Sequence, residues 1–193
     1  MKNKTSAAVD VLRRLPSPLF TSADAAKLIP HENVFLFRAS KKGYVKRIAN
    51  RVYWNALFSR TPPTVEEVAC FARQPSYISC EWALNYHGII IQSPTVCTVL
   101  TLSTAVGEAR RLVWQGVGIE FSRIADRLFT GYTMQDGFTI ATPEKALLDT
   151  IYLRNGLPVR DELELDVLDP LLVRKMADDF PKRVRDEVRK LLG

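Results

Sequence analysis

At 193 residues, with 47% hydrophobic and 25% charged side chains, the chain has the composition of an ordinary soluble globular protein of one good-sized domain or two small ones, with no internal repeat or low-complexity segment. The formal net charge is +6, and residues 1–60 hold 12 Lys and Arg against 3 Asp and Glu, whereas residues 61–193 hold 15 against 18, so a polyanion partner is expected for the N-terminal third alone. Cys70, Cys80 and Cys97, an odd number without a CxxC pair, argue against a disulfide framework or a zinc spacing and for reduced, buried thiols in a cytoplasmic protein.

Residues 5–15 read as a short amphipathic helix with Ala8, Val11, Leu12 and Leu15 on one stripe, ended by Pro16 and Pro18. Charged residues at Asp10, Arg13 and Arg14 interrupt any apolar run there, so no secretory signal is expected. Thr21 is the expected N-cap of a second helix, 22–29, with Asp24 completing a capping box and Ala25, Leu28 and Ile29 inward. Pro30 separates it from a third helix, 33–43. At ~100° per residue, Phe35, Leu36 and Ala39 share its apolar face, and Val34, Arg38, Lys41 and Lys42 fall opposite. Phe37 lies off the apolar face. It either packs against the next hairpin, touches a thymine methyl, or joins the core through a shifted register.

In residues 44–55 two β-prone runs, YVKRI and RVYWN, flank a turn near Ala49-Asn50, which predicts a hairpin with Lys46, Arg47 and Arg51 on or beside the turn. A basic helix joined to a basic hairpin predicts a winged helix-turn-helix. The helix fits the major groove and the hairpin lies along phosphates or the minor groove. The candidate DNA-binding residues are therefore Arg38, Lys41, Lys42, Lys46, Arg47 and Arg51, with Arg38 the expected base contact. The linker Thr61-Pro62-Pro63-Thr64 sets the expected boundary between domains 1–60 and 61–193.

Beyond it, residues 65–73 predict a helix with Glu66 and Glu67 in the first turn, favourable for the macrodipole. Ser79 is the expected cap of a helix carrying Glu81, Ala83, Leu84 and His87, stopped by Gly88. The uncharged stretch from Glu81 to Glu108 holds Asn85, Gly88, Gln92, Ser93 and Pro94, which excludes a membrane helix. Residues 96–102 predict a central strand, with further strands at 109–114 and 118–124 and a hairpin at 129–139 around Asp136-Gly137. Thr142, Pro143 and Glu144 mark a helix start, with Ala146, Leu147, Thr150 and Ile151 facing the core and Asn155-Gly156 at its end. Two further amphipathic helices are expected at 161–175, with Pro170 as a candidate break, and at 181–192. The fold class is thus α+β: an N-terminal winged helix-turn-helix, then a mixed α/β domain with a small sheet and C-terminal helices.

No active site is expected. In one helix, Cys80 and His87 stand about 10 Å apart along the axis, beyond the ~3 Å of a catalytic hydrogen bond. His31 and His87 lack accompanying carboxylates at metal-ligand spacing, and Gly116-Val117-Gly118 is too short for a phosphate loop. The acidic run DELELDVLD reads as a helix surface. These residues predict neither an enzyme nor a cofactor. Glu144 is explained by the helix dipole, and Lys145 and Asp149 form an i, i+4 pair worth about 0.2–0.5 kcal/mol on a surface; a contact with a protein partner is the other reading of these three.

Three stretches in order, GYVKRIANRVYWN, YISCEWALNYHGII and IATPEKALLD, resemble the AbiEi-type antitoxins, transcriptional regulators of bacterial abortive-infection toxin–antitoxin systems. The resemblance spans roughly residues 5–155; the tail after Leu157 matches less well. Where the family's wing usually has glycine before the apolar–Tyr pair, Arg51 precedes Val52-Tyr53. The resemblance implies a bifunctional protein that binds operator DNA and represses its own operon, and whose C-terminal domain neutralises a nucleotidyltransferase-like toxin encoded alongside, by direct contact or through the toxin's target. The alternative is a stand-alone winged-helix regulator whose C-terminal domain binds a small effector.

Overall fold

The computed structural model describes residues 4–59, 61–154, 156 and 162–193. The fold is α+β, and the chain divides into two compact units, Met1–Thr64 and Val65–Gly193, so the 61–64 segment falls with the first unit.

The first unit runs α1 (Lys4–Arg13), β1 (Leu19–Thr21), α2 (Ser22–Ala26), α3 (Glu32–Lys41), β2 (Lys46–Ala49) and β3 (Val52–Trp54). Its sheet is antiparallel in the order β1-β3-β2. Sequence periodicity gave no sign of β1, whose three residues pair Leu19, Phe20 and Thr21 with Trp54, Tyr53 and Val52. The Thr21 capping box forms: the Asp24 amide donates to Thr21 Oγ1 at 3.2 Å, and the Thr21 amide donates to Asp24 Oδ2 at 3.0 Å. That backbone hydrogen bond holds the Asp24 carboxyl below its ordinary range. Helix α2 is shorter than the 22–29 expected, because residues after Ala26 continue as turns, with the Leu28 and Ile29 amides both donating to the Ala25 carbonyl. Leu12, Phe20, Ala25, Leu36, Ala39 and Val45 make the core, drawn from α1, β1, α2, α3 and the residue before β2, with Tyr53 of β3 packed against it. Gly43, at φ 71°, turns the chain out of α3 so that Tyr44 can bond back to Ala39.

The second unit is a six-stranded mixed sheet, larger than the small sheet expected, in the order β6-β7-β5-β4-β9-β8. Its elements are α4 (Val65–Ala72), β4 (Ser76–Ser79), α5 (Cys80–Tyr86), β5 (Val96–Thr101), β6 (Leu112–Trp114), β7 (Val117–Arg123), β8 (Tyr132–Gln135), β9 (Phe138–Ala141), α6 (Pro143–Arg154), α7 (Pro170–Ala177) and α8 (Lys182–Leu192). Strand β5 is central, antiparallel to β4 and parallel to β7. The β8–β9 hairpin turns at Asp136-Gly137, with Gly137 at φ 89°, as the dipeptide predicts. Strand β4 was hidden in sequence: all four of its residues are buried, so no polar face marks the alternation. The helix expected over 161–175 begins only at Pro170. Asp169 caps it by accepting from the Leu171 and Leu172 amides, and Leu165–Val167 forms a single 3-10 turn, so the acidic run is not a helix surface there. Residues 155 and 161 lie outside the described residues. No helix among them is long and apolar enough to cross a membrane.

The fully buried Leu36 anchors the core of the first unit from α3. Leu36→Ala leaves a cavity there and is expected to cost about 3 kcal/mol. Amide hydrogen exchange across β1 and β3 checks this, and unchanged protection would contradict the packing described.

Candidate nucleic-acid interface

Helix α3 buries Leu36 and Ala39 and turns the opposite side outward. Arg38, Lys41 and Lys42 are exposed there, and Lys46, Arg47 and Arg51 are exposed on the hairpin that follows. Among the described residues, Arg38, Lys41, Lys42 and Arg51 form no ion pair with an acid. Lys41 instead lies 5.7 Å from the Phe37 ring centre, and Lys42 5.7 Å from that of Tyr44. Phe37 is 65% exposed, so the shifted register that would have placed it in the core is not adopted.

The hairpin is pinned by its own polar groups. Arg47 Nε donates to the Ala49 carbonyl at 3.2 Å and its Nη2 to Asn50 Oδ1 at 3.3 Å, across a register shift between Arg47 and Ala49. Arg51 sits at φ 63°, the left-handed conformation that glycine adopts without cost. A cation thus occupies a backbone position suited to glycine. A cleft of about 610 Å³ connects the parts, lined by Thr21 and Ser22 before and at the start of α2, Glu32 and Asn33 at the start of α3, and Arg47 and Arg51 of the hairpin. Of the six cations, Arg47 and Arg51 line this mostly polar cleft, which α3 meets through Glu32 and Asn33; Arg38, Lys41, Lys42 and Lys46 are not among its lining residues. Sequence spacing could not show this cleft, because Thr21 and Arg51 meet only through the β1–β3 pairing.

The three candidates for a partner contact in the second unit go the other way. Glu144, Lys145 and Asp149 are all buried, Lys145 at 1% and Asp149 at 0% exposure. They therefore point into the fold, which corrects both their reading as a partner surface and their reading as a solvated pair. Lys145 Nζ donates to Asp149 Oδ1 and, at 2.8 Å, to Tyr77 Oη. Tyr77 Oη donates to Asp149 Oδ2 at 3.1 Å, and Ser79 Oγ donates to the same oxygen at 2.7 Å. Ser79 thus stands at the start of α5 without capping it, its hydroxyl committed to Asp149. Burial pulls the Lys145 ammonium below its ordinary value and pushes the Asp149 carboxyl up, each opposed by the other's charge. Burial, then the Asp149 charge, pushes the Tyr77 hydroxyl up.

Glu144 accepts from the Asp169 amide at 3.2 Å and so ties α6 to the cap of α7. At the other end of α6, Arg154 donates to Glu81 Oε1 at 2.9 Å and to Glu120 Oε1 at 2.6 Å. Burial pushes Glu120 up, but the hydrogen bonds from Arg154 and Thr98 outweigh it and hold the carboxyl low. Cys80 and His87 stay apart in role as well. The Cys80 thiol is fully buried and burial pushes its pKa well up, while His87 Nε2 donates to the Ala141 carbonyl at 2.7 Å. Among the described residues no three His, Cys, Asp or Glu side chains gather as a metal site would require.

No protein-family model matches the chain, and no curated protein matches it. Among solved structures it is similar to the RV2827C protein from Mycobacterium tuberculosis, with a TM-score of 0.65 and 11% identity over 97% of this chain and 75% of that one. At that identity the likeness is one of fold.

Two variants test the geometry. Arg51→Gly removes a left-handed arginine and is expected to stabilise the first unit by about 1 kcal/mol, read by denaturant unfolding; a loss of stability would mean that the arginine contributes more than its backbone costs. Asp149→Ala strands a buried ammonium and is expected to destabilise the second unit by about 3–5 kcal/mol, with Lys145→Met/Asp149→Leu together recovering much of that. Equal losses in the single and double variants would show that the pair's charges are not what the site depends on.

Proposed function

We propose that residues 1–64 form a winged helix-turn-helix, and that the protein is a transcriptional autorepressor and antitoxin of a bacterial toxin–antitoxin system, of the AbiEi kind. The observation that carries the DNA half is the placement of six exposed cations. Arg38 and Lys41 on α3, Lys42 directly after it, and Lys46, Arg47 and Arg51 on the hairpin are all exposed, and Arg47 and Arg51 line the cleft. The order helix, strand, helix, helix, strand, strand, with the sheet order β1-β3-β2, supports the winged-helix reading. In this reading α3 enters the major groove of double-stranded operator DNA, and the hairpin contacts the adjoining backbone.

The antitoxin half is supported by the resemblance, and the second unit gives the motifs behind it a physical meaning. Tyr77 and Ser79 belong to YISCEWAL, Lys145 and Asp149 to TPEKALLD, and the four side chains form one buried hydrogen-bonded group. The two motifs are the framework of the unit. A contact with a nucleotidyltransferase-like toxin would accordingly use other, exposed residues.

If six phosphates are neutralised, the log of the association constant falls with log salt at a slope of roughly −5. Fluorescence anisotropy on the promoter duplex upstream of the gene, across a salt series, measures it; a flat response would sink the DNA reading. Co-expression with the neighbouring gene tests the other half. Restored growth by the full chain is the expected outcome, and toxicity unchanged by its presence would leave a stand-alone regulator.

A further inference from the structure

The outward side of α3 is not uniformly charged. Val34, Phe37, Arg38 and Lys41 stand at i, i+3, i+4 and i+7, one continuous stripe about 10 Å long at the ~1.5 Å rise of a helix. Val34 is 49% exposed and Phe37 65%, so the stripe carries two bare apolar groups beside two cations. The Lys41 ammonium lies over the Phe37 ring, 5.7 Å from its centre, and the ring is still 65% exposed. The exposed ring and the cations beside it make one mixed apolar and cationic surface. The charge around it selects the partner: a polyanion drawn in by Arg38, Lys41 and the hairpin is pressed onto Phe37 and Val34.

A DNA major groove offers an apolar side chain one apolar counterpart, the thymine 5-methyl group. Val34 and Phe37 are three residues apart, about 4.5 Å along the axis, close to the ~3.4 Å step between base pairs. We infer that Phe37, with Val34 one turn before it, reads thymine methyl groups on neighbouring base pairs, so that this surface prefers sites with thymine at that position. The inference rests on the proposed DNA binding and adds its specificity: the cations supply affinity common to all sequences, and the two apolar side chains supply discrimination.

The experiment uses the full-length protein and duplexes it selects from a randomised library, resynthesised with deoxyuridine in place of thymidine, which removes only the methyl groups. Wild type is expected to bind the uracil duplex about fourfold more weakly for each contacted methyl, the Boltzmann factor for burying one carbon of that size. Phe37 is exposed, so Phe37→Ala leaves the core of the unit intact. It is expected to reduce the thymine-to-uracil ratio by about fourfold while keeping the salt slope of the wild type. Equal wild-type binding to both duplexes, with the steep salt slope retained, overturns the inference and leaves the DNA reading standing. Undiminished discrimination in Phe37→Ala also overturns it. Absence of any salt-dependent duplex binding removes the DNA reading, and this inference with it.

Discussion

In the second unit an ammonium and a carboxylate are buried together, and the surrounding structure is arranged to make that tolerable. Desolvating each ion costs several kcal/mol, and mutual attraction offsets this only when the remaining lone pairs and protons are also satisfied. Asp149 meets the condition by accepting from Lys145, Tyr77 and Ser79. Lys145 meets it with Asp149, the Tyr77 hydroxyl, and the rings of Tyr77 and Phe180, each 5.2 Å away. Each of these contacts fixes an element: Tyr77 and Ser79 set β4 against α6, and Phe180 brings the segment after α7 onto the same helix. Gly131 approaches so closely that a Cβ there would lie 2.7 Å from Met176 Cε and 3.2 Å from Lys145 Cβ. The polar group thus joins β4 to α6 through Tyr77 and Ser79, and the chain at Gly131, just before β8, packs against the aliphatic part of Lys145.

The first unit follows a different logic. Its interior is small and mostly apolar, with Asn55 buried and donating to the Leu12 carbonyl, and its cations lie outside, where their repulsion is relieved by counterions or by a polyanion. Arg51 shows the compromise in one residue. A left-handed backbone position suited to glycine carries a cation instead, so backbone energy is given up where a positive charge projects beside the cleft.

Features written in local pattern were legible in the sequence. The Thr21–Asp24 capping box, the Asp136-Gly137 turn, the inward Leu36 and Ala39, and the concentration of cations in one third of the chain each depend on residues close together. What was not legible depends on pairing at a distance. Strand β1 exists only because β3 lies beside it, and β4 carries no polar face to reveal it. Lys145 and Asp149 were visible as a helical pair, but the partners that let them be buried, Tyr77 and Ser79, are about seventy residues earlier. One local clue was present: the pair sits in a helix that is otherwise apolar on nearly every side from Ala146 to Leu153, and such a helix belongs in an interior.

The placement of the three cysteines gives the molecule a built-in reporter. Cys70, Cys80 and Cys97 are free, buried and confined to the second unit, while the first contains none. Burial raises each thiol's pKa, so the reactive thiolate is scarce as well as shielded. An alkylating reagent can therefore reach these sulfurs mainly when the second unit opens. Its labelling rate under native conditions, followed by mass spectrometry, would track the opening equilibrium of that unit separately from the first, with no engineered probe.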